Sequence, residues 1–170
     1  MTVLVALVLA VAVAVLPSAG RAGAAPVAAR AGTGFVLPVP PPPVVLTPFA
    51  PPANRYGPGH RGVDLAAPAG TRIRAAGAGV VVFAAELAGR GVVSIEHTGG
   101  LRTTYEPVIA SVVAGGSVRA GEVIGTLQAG HQACAPAVCL HWGARLPDRV
   151  YLDPMTLLSG WEVRLWPWDE

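Results

Sequence analysis

At 170 residues, 52% hydrophobic and 13% charged, the chain has the size of one domain and enough apolar content to bury a core, which excludes disorder throughout. Its net charge is only +2, and its twelve basic residues, all arginine, are scattered, which argues against nucleic acid as the main partner. The 21 glycines and 17 prolines favour short strands and frequent turns over long helices.

Residues 1–24 read as an export signal. Val3 to Leu16 is an unbroken apolar run, shorter than the roughly 20 residues a bilayer span needs. Pro17 to Gly20 interrupt it, and Ala22-Gly23-Ala24 offers a small-x-small cleavage site. No Lys or Arg precedes the run. If left uncleaved, it would tether the chain to the membrane. Residues 25–54 read as a proline-rich linker. Pro38, Pro40 to Pro43, Pro48, Pro51 and Pro52 deny helix and central strand and favour an extended spacer. The alternative is that Val44 to Phe49 packs on the domain as an edge strand.

The domain is placed at residues 55–158. Short β-branched segments predict strands over Thr71 to Ala75, Gly79 to Ala84, Gly91 to His97 and Leu101 to Glu106. Thr98-Gly99-Gly100 is a turn that makes the last two a hairpin. Ser117 to Arg119, Glu122 to Leu127 and Leu140 to Arg145 complete the set. No segment carries a helical period of convincing length. The fold class is therefore all-β, an antiparallel sandwich or partly closed barrel. A weak echo of Ala-Gly before Val- or Ile-bearing strands, as at Ala69-Gly70 and Ala120-Gly121, suggests a duplicated hairpin unit. Residues 159–170 hold Trp161, Trp166 and Trp168 and read as a tail that covers a hydrophobic surface.

Two places carry chemistry. His60-Arg61-Gly62-Val63-Asp64 is an HxxxD pattern with glycines on both sides, so the backbone can bring imidazole and carboxylate together. Both groups are good zinc donors. His141 lies in Cys139-Leu140-His141-Trp142-Gly143, where strand alternation puts Cys139 and His141 on one face. An HxxxD by itself is equally a loop histidine paired with an aspartate.

The longer text resolves that ambiguity. The blocks are Gly59-His60-Arg61-Gly62-Val63-Asp64-Leu65-Ala66-Ala67-Pro68-Ala69-Gly70-Thr71, Gly100-Leu101-Arg102-Thr103-Thr104-Tyr105, Gly115-Gly116-Ser117-Val118-Arg119-Ala120-Gly121-Glu122-Val123-Ile124-Gly125 and Leu140-His141-Trp142-Gly143. In order and spacing, the stretch from Gly57 to about Pro154 resembles the lysostaphin-type zinc metallopeptidases of peptidoglycan. The resemblance implies an antiparallel duplicated-hybrid β fold. It also implies one Zn2+ held by His60, Asp64 and His141, with a water that attacks a peptide bond of the cell wall. Peptidoglycan peptides are then the expected substrate; a monomer is expected, and the export signal places it in the cell envelope or outside the cell.

The sequence departs from that family at two positions. The family's Tyr-x-His-Leu reads Tyr105-Glu106-Pro107-Val108, with proline at the first assisting histidine. Its His-x-His reads Cys139-Leu140-His141, with cysteine at the second. His131, in the loop before the metal-bearing strand, is a candidate acid or base, and Glu106 is another. Tyr105 is a candidate for positioning substrate, with core packing as the alternative. His97 reads as structural. Cys134 and Cys139 are the only cysteines, and in an exported protein they read as a disulfide. The rival reading makes the Cys139 thiolate a fourth zinc ligand that closes the site. Two functions remain open: a peptidase with relocated proton transfer, or a zinc-stabilised module that binds wall peptide or regulates a cell-wall hydrolase without cutting.

Overall fold

The computed structural model of the protein describes residues 34–54 and 57–158. The expected signal and the tryptophan-rich tail lie outside the described residues.

Eleven short strands make up the described fold, which is antiparallel throughout: β1 (Val45–Thr47), β2 (Gly62–Ala66), β3 (Arg72–Arg74), β4 (Gly79–Leu87), β5 (Arg90–Glu96), β6 (Arg102–Glu106), β7 (Val108–Ala110), β8 (Ser117–Val118), β9 (Val123–Leu127), β10 (Cys139–Arg145) and β11 (Tyr151–Leu152). The larger sheet runs β1-β2-β10-β6-β5-β4-β8, with β11 also paired to β10. The smaller runs β3-β9-β7. The larger sheet is open, with β1 and β8 at its edges, so the architecture is a sandwich and not a closed barrel.

Alternation along the strands sorts side chains into a core face and an outer face. From β10, Leu140, Trp142 and Ala144 point inward and are buried. From β6, Thr103 and Tyr105 do the same, and from β2, Val63 and Leu65. Ile73, Val108, Ile124 and Leu127 of the small sheet join the same core. The opposite face of β10 is left to His141, Gly143 and Arg145, and this polar row becomes the site.

All seven predicted strands are present to within a few residues at their ends. The Thr98–Gly100 turn joins β5 to β6, and positive φ at Gly99 (79°) and Gly100 (77°) explains the glycine pair. Three strands were not predicted. In β2 the sequence Gly-Val-Asp-Leu-Ala carries no clear strand signal, because glycine and aspartate are poor strand formers. β7 follows directly on Pro107, which ends the β6 ladder because it has no N–H to give. β11 has only two residues.

The proline-rich stretch is corrected from Gly34 onward: it is a strap of the domain, not a spacer. Val36 N donates to Ala76 O at 2.7 Å, and Arg74 N donates to Pro38 O at 3.0 Å. Val39 is buried in the core, with Phe35 and Phe49 packed against it. β1 is the edge strand on β2, with Thr47 opposite Asp64. Proline suits this role, since a strap and an edge strand need few N–H donors.

Candidate metal centre

The site is built on strand register. His141 of β10 is paired with Asp64 on β2 and with Glu106 on β6. Three neighbouring strands thus place two carboxylates and one imidazole in a single row on one face. His60 lies just before β2, where its backbone bridges to Ala50 of the strap through bonds of 2.7 and 3.0 Å. Its ring is delivered into the row from the side.

The donor atoms meet closely. His60 Nε2 is 3.1 Å from Asp64 Oδ1 and 3.0 Å from His141 Nδ1, while His141 Nδ1 is 2.9 Å from Asp64 Oδ1. A tetrahedron with metal–donor bonds of about 2.0 Å has edges of about 3.3 Å, so this triangle has the size a zinc-like cation requires. His60 Nδ1 donates to Pro48 O at 2.8 Å, which leaves the Nε2 lone pair facing the other two donors. Lone pairs of two nitrogens and a carboxylate oxygen drawn this close are a poor arrangement without a cation between them. Asp64 is fully buried, and its Oδ2 makes no hydrogen bond. Burial alone pushes its carboxyl up. When no cation lies between the donors and the rings carry protons instead, the hydrogen bond from His141, the charges of His60 and His141, and Thr47 outweigh it and hold the group below its ordinary 3.8. The residues present therefore fit a divalent metal, held by His60, Asp64 and His141.

Glycine makes room for the rings. A Cβ on Gly62 would lie 2.5 Å from Trp142 O and 2.7 Å from His141 Nε2. Gly62 and Gly143 face each other across β2 and β10 and keep the floor beside His141 flat.

The structure brings His131 to this centre. Its Nε2 lies 3.3 Å from Asp64 Oδ1, and its ring centroid is 5.6 Å from that of His141. A single 3-10 turn, Gln132–Cys134, follows it. Cys134 is disulfide-bonded to Cys139 at the start of β10, with the Cα atoms 6.1 Å apart. The bond ties the loop to the metal-bearing strand. It also rules out the alternative of Cys139 as a thiolate ligand, because the sulfur is already committed.

Glu106 is on the site face beside His141, but its Oε1 accepts from Arg90 Nη2 at 3.1 Å. Tyr105 is a correction: it is fully buried and cannot touch substrate. Its hydroxyl accepts from Ala76 N at 2.8 Å and donates to Thr103 Oγ1 at 2.9 Å, and burial pushes its pKa up to about 12. His97 extends the same buried network, with Nδ1 donating to Ala78 O at 2.8 Å and Nε2 accepting from Thr103 Oγ1 at 2.8 Å. Pro48 and Arg90 support the site and were missed. The signal for Pro48 was hidden in a proline run that reads as spacer.

Residues 58–154 match Peptidase family M23. An uncharacterised protein of Mycobacterium tuberculosis (strain ATCC 25618 / H37Rv) is 51% identical over 133 residues, covering 76% of this chain and 53% of that protein. The chain thus spans about half the length of the mycobacterial relatives it matches. The DD-carboxypeptidase/endopeptidase Mpg of Neisseria meningitidis serogroup B (strain ATCC BAA-335 / MC58) is 41% identical over 88 residues, covering 51% of this chain and 20% of that protein. Among solved structures, the catalytic domain of the antimicrobial peptidase lysostaphin from Staphylococcus simulans superposes with a TM-score of 0.59 at 24% identity, over 69% of this chain and 93% of that domain. At that identity the likeness is one of fold.

Proposed function

The chain belongs to Peptidase family M23, and from that premise we propose that its domain is a zinc-dependent peptidase of peptidoglycan peptides in which His131 handles the proton. The observation that carries the reading is the 3.3 Å contact between His131 Nε2 and Asp64 Oδ1. Both positions where the family's assisting histidines belong hold groups with no proton to move, Pro107 and the disulfide-bonded Cys139. A histidine from another branch of the chain stands at the metal centre instead.

His60, Asp64 and His141 would hold zinc as three protein ligands, the donor set of a catalytic site. When bound, zinc supplies Lewis acidity, making water a nucleophile at neutral pH and polarising the scissile carbonyl. His131, at hydrogen-bonding distance from the centre, accepts the proton released by the attacking water and returns it to the leaving amine. His131 Nε2 is buried and makes no hydrogen bond among the described residues, so its proton-carrying nitrogen is left uncommitted beside the Asp64 carboxylate. The disulfide limits where the loop can go. Glu106 is tied to Arg90, which engages the carboxylate that a base would need, so proton transfer is assigned to His131 alone. The disulfide and a wall substrate both support an exported location.

The second reading is a zinc-stabilised module that grips wall peptide, or a partner hydrolase, without cutting. The identities of Pro107 and Cys139 favour it. Purified protein loaded with zinc and incubated with cross-linked peptidoglycan separates the two. Release of new amine termini, lost in His60→Ala and strongly reduced in His131→Gln, supports the peptidase. Sedimentation with peptidoglycan and no release supports the module.

A further inference from the structure

Beyond the metal centre, the outer face of β10 continues into a cleft of about 220 Å3 whose walls include Arg61, Arg102 and Arg145. Its only acidic wall residue among the described residues is Glu106, already held by Arg90 at 3.1 Å. Arg102 and Arg145 are direct cross-strand partners on β6 and β10. Like charges placed opposite each other in a sheet are destabilising. Arg102 is relieved on its far side by Glu96 at 2.8 Å. Arg145 pairs with no carboxylate among the described residues. On its other flank is Tyr151, its partner on β11, whose ring carries the Arg61 guanidinium 5.5 Å from its centroid. Half-buried arginines gathered this way are matched when an anion enters, and guanidinium suits the planar carboxylate.

The cleft is continuous with the site. His141, Gly143 and Arg145 follow one another at two-residue steps on the same face, and the floor between them is Gly143 and Thr104. Gly143 has no side chain, and a Cβ there would already lie 3.3 Å from Arg61 O, so glycine keeps this part of the cleft open. At about 3.3 Å per residue, Arg145 is roughly 13 Å along the strand from His141. We propose that this cleft is the substrate groove and that Arg102 and Arg145 bind a free carboxylate of the peptide, two to four residues from the bond at the metal centre. The inference rests on the peptidase reading for what is cut, but not for what is bound.

The test uses the full chain loaded with zinc and a fluorescent cross-linked peptide in three forms: all carboxylates free, one side-chain carboxylate amidated, and the C-terminal carboxylate amidated. Fluorescence anisotropy gives Kd for each. Amidating the carboxylate that reaches the arginines is expected to weaken binding about tenfold, and which amide does so identifies the source of the charge. Arg145→Gln is expected to weaken binding of the free acid by a similar factor and to abolish the discrimination, with zinc content unchanged. Acid and amide forms that bind alike in the native protein, including not at all, would overturn the inference. So would an Arg145→Gln protein that still discriminates. Preference for the acid without any product would overturn the peptidase reading alone, whereas cleavage with no preference would overturn the groove alone.

Discussion

The two halves of the site have been treated differently. On the β2–β10 side, the residues that fit a metal are drawn together: His60, Asp64 and His141 within about 3 Å of one another, a carbonyl from Pro48 behind His60, and glycine where His141 needs space. On the side of β6 and the loop before β10, the positions where the resemblance leads one to expect assisting histidines hold Pro107 and a disulfide-bonded Cys139. The difference follows from what each task demands. A metal fixes the distances and angles of its donors to tenths of an ångström, so a donor cannot move without losing the ion. A proton carrier needs only to reach hydrogen-bonding distance with a suitable group, and any branch of the chain that gets there will do. His131 gets there.

The sharpest way to break that comparison is to remove a donor. His141→Ala is expected to drop bound zinc from one per chain to a small fraction, measured by elemental analysis, and to bring peptide release to background. The loss should exceed the roughly 10- to 100-fold cost typical of disturbing a ligand's support. A variant that kept its zinc would mean the donor set is drawn wrongly. Next comes His131→Gln, which preserves hydrogen bonding but not proton transfer. Zinc should stay at one per chain while kcat falls by about 10²–10⁴-fold, with one limb of the pH–rate profile flattened. Unchanged kcat would return His131 to the status of a loop residue and leave the β6 side with no proton carrier.

The disulfide links the two halves, and its effect is expected to be smaller. Replacing both Cys134 and Cys139 with serine frees a short loop and should cost roughly 2 kcal/mol of stability in the chain-entropy picture, read from urea midpoints. Activity should fall by less than in His131→Gln, because the loosened ring still visits the centre. A fall equal to that of His131→Gln would show that the cross-link, and not the ring's own contact with Asp64, sets the position of His131.

These contrasts track how the molecule reads from sequence. The strands with β-branched alternation, such as Val-Val-Ser-Ile in β5 and Val-Ile-Gly-Thr-Leu in β9, are legible because packing and local preference agree. β2 is not, because its glycine and aspartate are poor strand formers and its pairing comes from β1 and β10, 17 and 77 residues away for the partners of Asp64. The meeting of His60, Asp64 and His141 was legible only through extended text, since spacing cannot say that residues 60 and 141 come together. Burial was the hardest property to read. Tyr105 looks like a group beside the chemistry, yet one position separates it from the site face, and alternation sends it inward to the network of Thr103 and His97. The strap was hidden for a related reason: a proline run has the composition of a spacer whether or not a sheet edge accepts it.

That inner network offers the mildest test, because it lies one layer below the site and holds no metal donor. His97 is buried, and burial lowers its pKa below the ordinary 6.5, opposed in part by the Ala78 carbonyl. The folded ring therefore stays neutral where the unfolded one takes a proton. By linkage, its contribution is fully present above about pH 6.5 and is lost as the pH falls from there toward the folded pKa, at no more than about 1.4 kcal/mol per pH unit for one proton. Acidification also threatens the metal centre, where His60 and His141 must stay unprotonated to bind. The comparison that isolates the core is the difference in slope between native protein and His97→Gln, each measured by urea midpoints from pH 7.5 to 5.5. A shallower slope in His97→Gln is expected. Parallel slopes would assign the acid sensitivity to the metal centre alone and leave the Thr103–Tyr105 layer as packing without electrostatic consequence.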